Sequence, residues 1–183
     1  MMVTLIFLHS WRLEIDFMVY EEIGNLLDSH CTYICHQVNC KGKMNSGVAK
    51  AIREKWPQVY EQYKDWHMSY DAWAHAQVTD DPELLAISTM LGHIQEVKVA
   101  EDKSVINIAA QGGYGYDWKR YTSYDAFWMC LGEIKNLVAI GESIAFPDHI
   151  GCCRGGANWA VIKTMITEVL GKDYNVWFYK LEE

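Results

Sequence analysis

Apolar positions along this chain switch repeatedly between a period of two and a period near four. Phe17 to Gly24 and Tyr33 to Val38 are short β-branched or aromatic runs bounded by turn formers, which predicts strands. The period then lengthens. Ser46 is placed to cap a helix running through Lys55, and Pro57 suits the first turn of a second helix ending near Asp65. Residues 66–82 are polar and aromatic without a clean period, so irregular structure is expected there. Gly92 to Val99 and Ser104 to Gln111 flank Ala100-Glu101-Asp102-Lys103, the pattern of two strands joined as a hairpin. Thr122 with Asp125 resembles a capping box, and Phe127, Leu131, Ile134 and Val138 follow at helical spacing. A strand over Ile140 to Phe146 comes next. Trp159, Ile162, Ile166 and Val169 mark a helix closed by Gly171, and Val176 to Leu181 forms the last strand. Strands that alternate with helices imply an α/β fold, with a mixed, largely parallel sheet covered on both faces. Ligands of such sheets sit in the crevice at the carboxyl ends of the strands.

Two loops leave strands at those ends and run into helices. The first is Asn39-Cys40-Lys41-Gly42-Lys43-Met44-Asn45-Ser46-Gly47-Val48-Ala49, and the second is Gly151-Cys152-Cys153-Arg154-Gly155-Gly156-Ala157-Asn158-Trp159. Glycine allows positive φ and close backbone approach, and the free N–H groups of a helix start hold phosphate. Tight turns use glycine for steric reasons alone, so either loop by itself is weak evidence. Together they point to a diphosphate-bearing nucleotide.

VYEEIGNLL (residues 19–27), HQVNCKGKMNSGVA, Trp56-Pro57, NIAAQGGYG (107–115), RYTSYDAF (120–127), FPDHIGCCRGGANW and the closing VWFYKL occur in the order found in the macrodomain family, which residues 17–183 resemble. Within that family the chain is most similar to the stand-alone branch of phages, bacteria and yeast that includes ADP-ribose 1''-phosphate phosphatases. The resemblance implies a three-layer α/β/α macrodomain. It also implies ADP-ribose or its 1''-phosphate as ligand and no cofactor or metal.

The resemblance carries over to particular residues. Asn25 and Leu26 stand where relatives meet adenine, with Asn25 in place of a common aspartate, and Tyr179 falls where an aromatic often covers the adenine face. Met44, Ser46, Gly47 and Val48 of the first loop and Gly151, Cys152, Cys153, Arg154, Gly155 and Gly156 of the second would enclose the diphosphate. Asn39 matches the distal-ribose asparagine, whose amide offers donor and acceptor to a diol, and is otherwise a turn residue. Gln111 and Tyr114 would lie near the distal ribose. His36 is either a core histidine or an acid, base or nucleophile beside the phosphate. Asp148 is either a solvated loop carboxylate or the group that orients His36 or a water. His149 is expected to be a bystander. One hydrolase class of the family uses a lysine and an aspartate where this chain has Gln111 and Gly155, so that chemistry lacks both partners. A bulky residue at Gly47 or Gly156 is expected to abolish binding with little change in melting temperature.

Composition narrows the picture. A chain of 183 residues that is 50% hydrophobic suits one core, hence one domain. A net charge of -8 argues against a nonspecific nucleic-acid binder, yet leaves room for a nucleotide held by amides. The six cysteines, Cys31, Cys35, Cys40, Cys130, Cys152 and Cys153, include no CxxC pair and read as buried thiols of a reducing compartment. Met1 to Leu8 is too short and too poor in basic residues for a signal peptide, and no stretch reaches the length of a bilayer span. The expectation is a soluble, cytoplasmic monomer whose partners are the small ligand and macromolecules bearing ADP-ribose. Residues 1–16 precede the resemblance and are an added edge strand, a disordered arm or a mis-called start.

Overall fold

The computed structural model describes residues 18–182. The expected extension over residues 1–16 lies outside them. In chain order the elements are β1 (Val19–Ile23), β2 (Tyr33–Asn39), α1 (Gly47–Lys55), α2 (Pro57–His75), α3 (Pro82–Met90), β3 (Ile94–Ala100), β4 (Lys103–Gln111), α4 (Tyr124–Leu137), β5 (Ser143–Pro147), α5 (Trp159–Leu170) and β6 (Asn175–Lys180), with a short 3-10 turn at Leu26–Asp28. The strands form one sheet in the order β1-β6-β5-β2-β4-β3. Every neighbouring pair is parallel except the β3–β4 hairpin.

Strand alternation sends side chains to two separate cores. Cys35, Ile106, Ile108, Ile144 and Phe146 meet α4 and α5 through Phe127, Leu131, Ile134, Ile162 and Ile166. Ile34, Val38, Val105, Ala109 and Ala145 meet Ile52 of α1, Val59 and Tyr63 of α2, and Met90 of α3. The central strands are buried on both faces, as a parallel sheet between helical layers requires.

Three expectations are corrected. The helix from Pro57 runs to His75, well past Asp65, because Val59, Tyr63, Trp66, Tyr70 and Ala74 recur at helical spacing and turn toward the sheet. Their seam is largely aromatic, which hides the period. The tail of the supposedly irregular stretch opens α3, where the Asp81 carboxylate accepts from the Leu84 N–H at 2.9 Å and Pro82 takes the first turn. Ser123, not Thr122, caps α4 by accepting from the Ala126 N–H at 3.2 Å, while Thr122 is diverted to a bridge with Gln111. Among the described residues no helix is long and apolar enough to cross a membrane.

The two-core packing makes a stability prediction. Ile166→Ala empties a fully buried position on α5 and should lower the unfolding free energy in urea by about 2–4 kcal/mol. Ile140→Ala, at a residue 79% exposed, should stay within about 0.5 kcal/mol of the parent. Similar losses in both would show that the α5 seam is not part of the cooperative core.

Candidate functional site

β2 and β5 are neighbours, so the loops that follow Asn39 and Pro147 emerge side by side at the carboxyl edge of the sheet. Between them lies a cleft of about 490 Å³. Arg154 ties its walls together. Its guanidinium donates from Nη1 to Ser46 Oγ at 2.8 Å and lies 4.5 Å from the Tyr114 ring centre and 5.5 Å from that of Tyr116. Ser46 stands at the N-cap of α1, yet its hydroxyl makes no capping bond. The first-turn amides of Gly47, Val48 and Ala49 therefore line the cleft without a side-chain cap. That is a place for an anion.

The floor differs on its two faces. On the face toward α1 and α2, His36 is 1% exposed and its Nε2 lies 2.6 Å from Asn107 Oδ1. Burial, only partly offset by the Asn107 bond, lowers the His36 pKa to about 4, so the ring is neutral near pH 7. Its Nδ1 is buried and has no partner in the free protein. On the other face, Gln37 donates from Nε2 to Gln111 Oε1 and to Thr122 Oγ1, each at 2.9 Å, and Gln111 donates to the Gly113 carbonyl. Thr122 Oγ1 in turn donates to the Gly151 carbonyl at 3.2 Å. This network holds the second loop down. Gly155 sits against it so closely that a Cβ would collide with the Gly151 carbonyl and Thr122 Oγ1 and come within 3.0 Å of Gln111 Oε1.

Asn39 lines the cleft, but its amide organises the loop. Oδ1 accepts from the Lys41 and Lys43 N–H groups at 3.0 and 3.3 Å, and Nδ2 donates to the Lys43 carbonyl at 2.6 Å. Tyr63 Oη also donates to the Asn39 carbonyl. Asp148 does not reach His36. Its Oδ2 lies 2.7 Å from Nδ1 of His149, whose backbone has φ 56° and whose ring stacks on Trp159 with centres 5.2 Å apart.

Of the residues singled out in the sequence, His36, Asn39, Ser46, Gly47, Val48, Gln111, Tyr114, Asp148, Gly151, Cys153, Arg154 and Gly155 line this one cleft. Six do not. Asn25 caps the 3-10 turn through the Leu27 N–H at 3.1 Å and donates to Asp28. Leu26, Met44 and Tyr179 are buried in the core beneath α1 and α2, where the Tyr179 hydroxyl sits 3.1 Å from His30 Nδ1. Cys152 is half-buried, its thiol pushed up to about 11 by burial, and Gly156 packs against the 119–120 backbone. Of the expected adenine contacts, none of Asn25, Leu26 and Tyr179 lines this cleft. The cleft is also lined by Gln37 and Tyr116, which the sequence reading did not single out, by Lys43 and Asn45 of the first loop, and by His149, the expected bystander. Gln37 was legible as the alternate neighbour of His36 at an open strand end, and His149 as the neighbour of Asp148. All six cysteines are free thiols, and no group of three or more potential metal ligands occurs among the described residues.

No family model and no curated protein matches the sequence. Solved structures do. A protein of unknown function from Bacteroides thetaiotaomicron superposes with TM-score 0.70 at 25% identity, over 88% of this chain and 97% of that one. The macrodomain of Thermus aquaticus DarG gives TM-score 0.62 at 22% identity, over 90% and 98%. The fold is that of a macrodomain. Thermosipho africanus DarTG, solved in complex with ADP-ribose, is similar to the same macrodomain fold with TM-score 0.63 at 18% identity, over 88% of this chain and 41% of that one.

The geometry of the cleft corrects one substitution expectation and sets a pH dependence. A Cβ at Gly156, where φ is 68°, would lie 2.6 Å from the Lys119 carbonyl, so Gly156→Val should lower the melting temperature clearly instead of leaving it unchanged. Gly47 opens onto free space, and Gly47→Ala should cost only about 1 kcal/mol, set by its positive φ. A denaturation series separates the two. For His36, native and unfolded chains are both neutral above pH 6.5, and no stability depends on the ring there. As pH falls from 6.5 to about 4, the unfolded chain takes a proton that the native ring refuses. Stability should fall by about 3 kcal/mol across that window, and the loss should be smaller in His36→Gln. Parallel curves for the two proteins would contradict the neutral buried ring.

Proposed function

We propose that the cleft binds ADP-ribose and that the protein hydrolyses the phosphomonoester of ADP-ribose 1''-phosphate. The observation that carries this reading is the uncapped start of α1, its Ser46 engaged by Arg154, on the wall of a cleft beneath which His36 Nδ1 is buried without a partner. The amides of residues 47–49 and the Arg154 guanidinium supply fixed donors for phosphate oxygens in a protein whose net charge is -8. The ADP-ribose complex of Thermosipho africanus DarTG supports the ligand class.

In the proposed reaction a water attacks phosphorus and gives its proton to His36 Nδ1. The bond from phosphorus to the ribose 1''-oxygen breaks, that oxygen takes a proton from solvent water, the resulting hydroxide takes the proton from His36, and phosphate and ADP-ribose leave. Nδ1 is closed off in the free protein, so this contact forms as the loops settle on the ligand. Asn39 shapes the first loop around the distal ribose, and Asp148 holds His149 at the rim.

Incubation with ADP-ribose 1''-phosphate, with automodified protein and with ADP-ribosylated DNA separates the reading from its rivals. Phosphate release from the first is expected. Release of ADP-ribose from either macromolecule would instead mark a de-ADP-ribosylating hydrolase, and tight binding without turnover would mark a reader. His36→Ala should lower phosphate release by about 100-fold or more while ADP-ribose affinity in calorimetry stays close to the parent. Full activity in His36→Ala combined with loss in His149→Ala would move the acid–base role to the Asp148–His149 pair.

A further inference from the structure

Behind His36 a line of polar side chains crosses three strands. Asn107 of β4 is directly opposite His36 of β2, and Gln95 of β3 is directly opposite Asn107. Asn107 Nδ2 donates to Gln95 Oε1 at 2.9 Å, and Gln95 Nε2 donates to the Gln62 carbonyl of α2 at 3.0 Å. His36 and Asn107 are buried at 1% and 0% exposure, on a face otherwise made of Val105, Ala109, Ile34 and Val38. Three amides and imidazoles placed in an apolar layer have a large desolvation cost unless every bond is made.

The direction of this line is settled at its outer end. A backbone carbonyl only accepts, so the Gln95 atom that meets Gln62 is the NH₂ group. Gln95 therefore turns Oε1 to Asn107, Asn107 answers with its own NH₂ group, and Asn107 Oδ1 is left for His36. An oxygen acceptor at Nε2 requires that Nε2 carry the proton. Each orientation is forced by the one before it, although amide and imidazole orientations are otherwise interchangeable.

We infer that Asn107 is a positioning residue, which with Gln95 and the Gln62 carbonyl locks His36 as the Nε2–H tautomer and keeps Nδ1 as a bare, buried lone-pair acceptor beneath the cleft. This deepens the phosphatase reading, and its catalytic consequence rests on that reading; the tautomer does not. No charged side chain takes part in the line. The charged or titratable groups that share the cleft are Lys43, Tyr114, Tyr116, Asp148, His149, Cys153 and Arg154, and the low His36 pKa comes from burial, partly offset by the Asn107 bond.

The test is a pH series of nitrogen-15 spectra of the full chain with labelled histidine, His36 being assigned by its disappearance in His36→Gln. The expected ring has a protonated Nε2 and a bare Nδ1, unchanged on acidification until about pH 4. An Nδ1–H tautomer, or titration near pH 6.5, overturns the inference. Gln95→Leu, at a partly exposed residue, removes the anchor with little disturbance of the core and should yield a mixture of tautomers; a single unchanged tautomer in that variant also overturns it. Asn107→Asp places a carboxylate against Nε2–H, which should keep that tautomer, move the His36 titration upward and, by making Nδ1 the stronger base, raise phosphate release near neutral pH with ADP-ribose affinity retained; an unmoved titration overturns the inference. If Asn107→Asp does not fold, the Gln95→Leu spectra decide. If the wild type shows the predicted tautomer and releases no phosphate, the positioning stands and the phosphatase reading falls.

Discussion

The site depends on how little β2 and β5 pair. They share only the register Tyr33↔Ile144 and Ile34↔Ala145, whereas β2 and β4 stay paired along the whole of β2. Beyond Ile34 the two strands part, and the crevice opens between them. This is also where the chain order of the sheet reverses, β4 and β3 being laid down on one side of β2, and β5, β6 and β1 on the other. Loops leaving β2 and β5 must diverge to opposite faces of the sheet there, which makes the crevice a consequence of topology. Residues 36–39 keep one paired edge and one open edge. Of these, His36, Gln37 and Asn39 line the cleft, while Val38 packs into the core.

Period-two alternation then gives that floor two unlike supports. His36 belongs to the row that continues through Asn107 and Gln95, and Gln37 to the cluster of Gln111, Thr122 and the Gly151 carbonyl. The first row fixes a proton on an imidazole. The second fixes the backbone of a loop. A one-residue slip of β2 would exchange the rows and bury each polar group against the wrong core, so the register of β2 and the chemistry of the cleft are the same constraint. Arg154 joins the two halves from above, and by drawing Ser46 away from the helix start it leaves the anion position to backbone amides.

Much of this was legible in the sequence, and the failures have physical causes. The strands, the hairpin, α1, α4 and α5 carry clear periods, and twelve of the expected site residues meet in the cleft because strand ends and helix starts fix their place. The length of α2 was hidden because Trp66 and Tyr70 are amphipathic residues that read as polar or irregular while packing inward. The residues assigned to adenine lie outside this cleft for a different reason. Position along a motif does not say which way a side chain turns: Asn25 folds back to cap its own turn, and Tyr179 lies inward beneath it. His149 was passed over because no spacing rule shows that its backbone takes φ 56° and lays the ring on Trp159.

Gln111 and Gly155 show why a residue exchange is sometimes a packing decision. The two stand where one hydrolase class of similar proteins places a lysine and an aspartate, and here they are close in space. The volume that a side chain at 155 would need is already filled by the Gly151 carbonyl, Thr122 Oγ1 and Gln111 Oε1. Gln111 is itself held by Gln37 and by the Gly113 carbonyl. An aspartate at 155 would have to displace this whole network, and a lysine at 111 would remove the acceptor that Gln37 uses while putting a charge into a buried position. The lysine–aspartate chemistry is therefore shut out by the way the second loop is seated. The other face of the same strand is unlike it: there a single neutral imidazole is buried beneath a cleft lined by the uncapped start of α1.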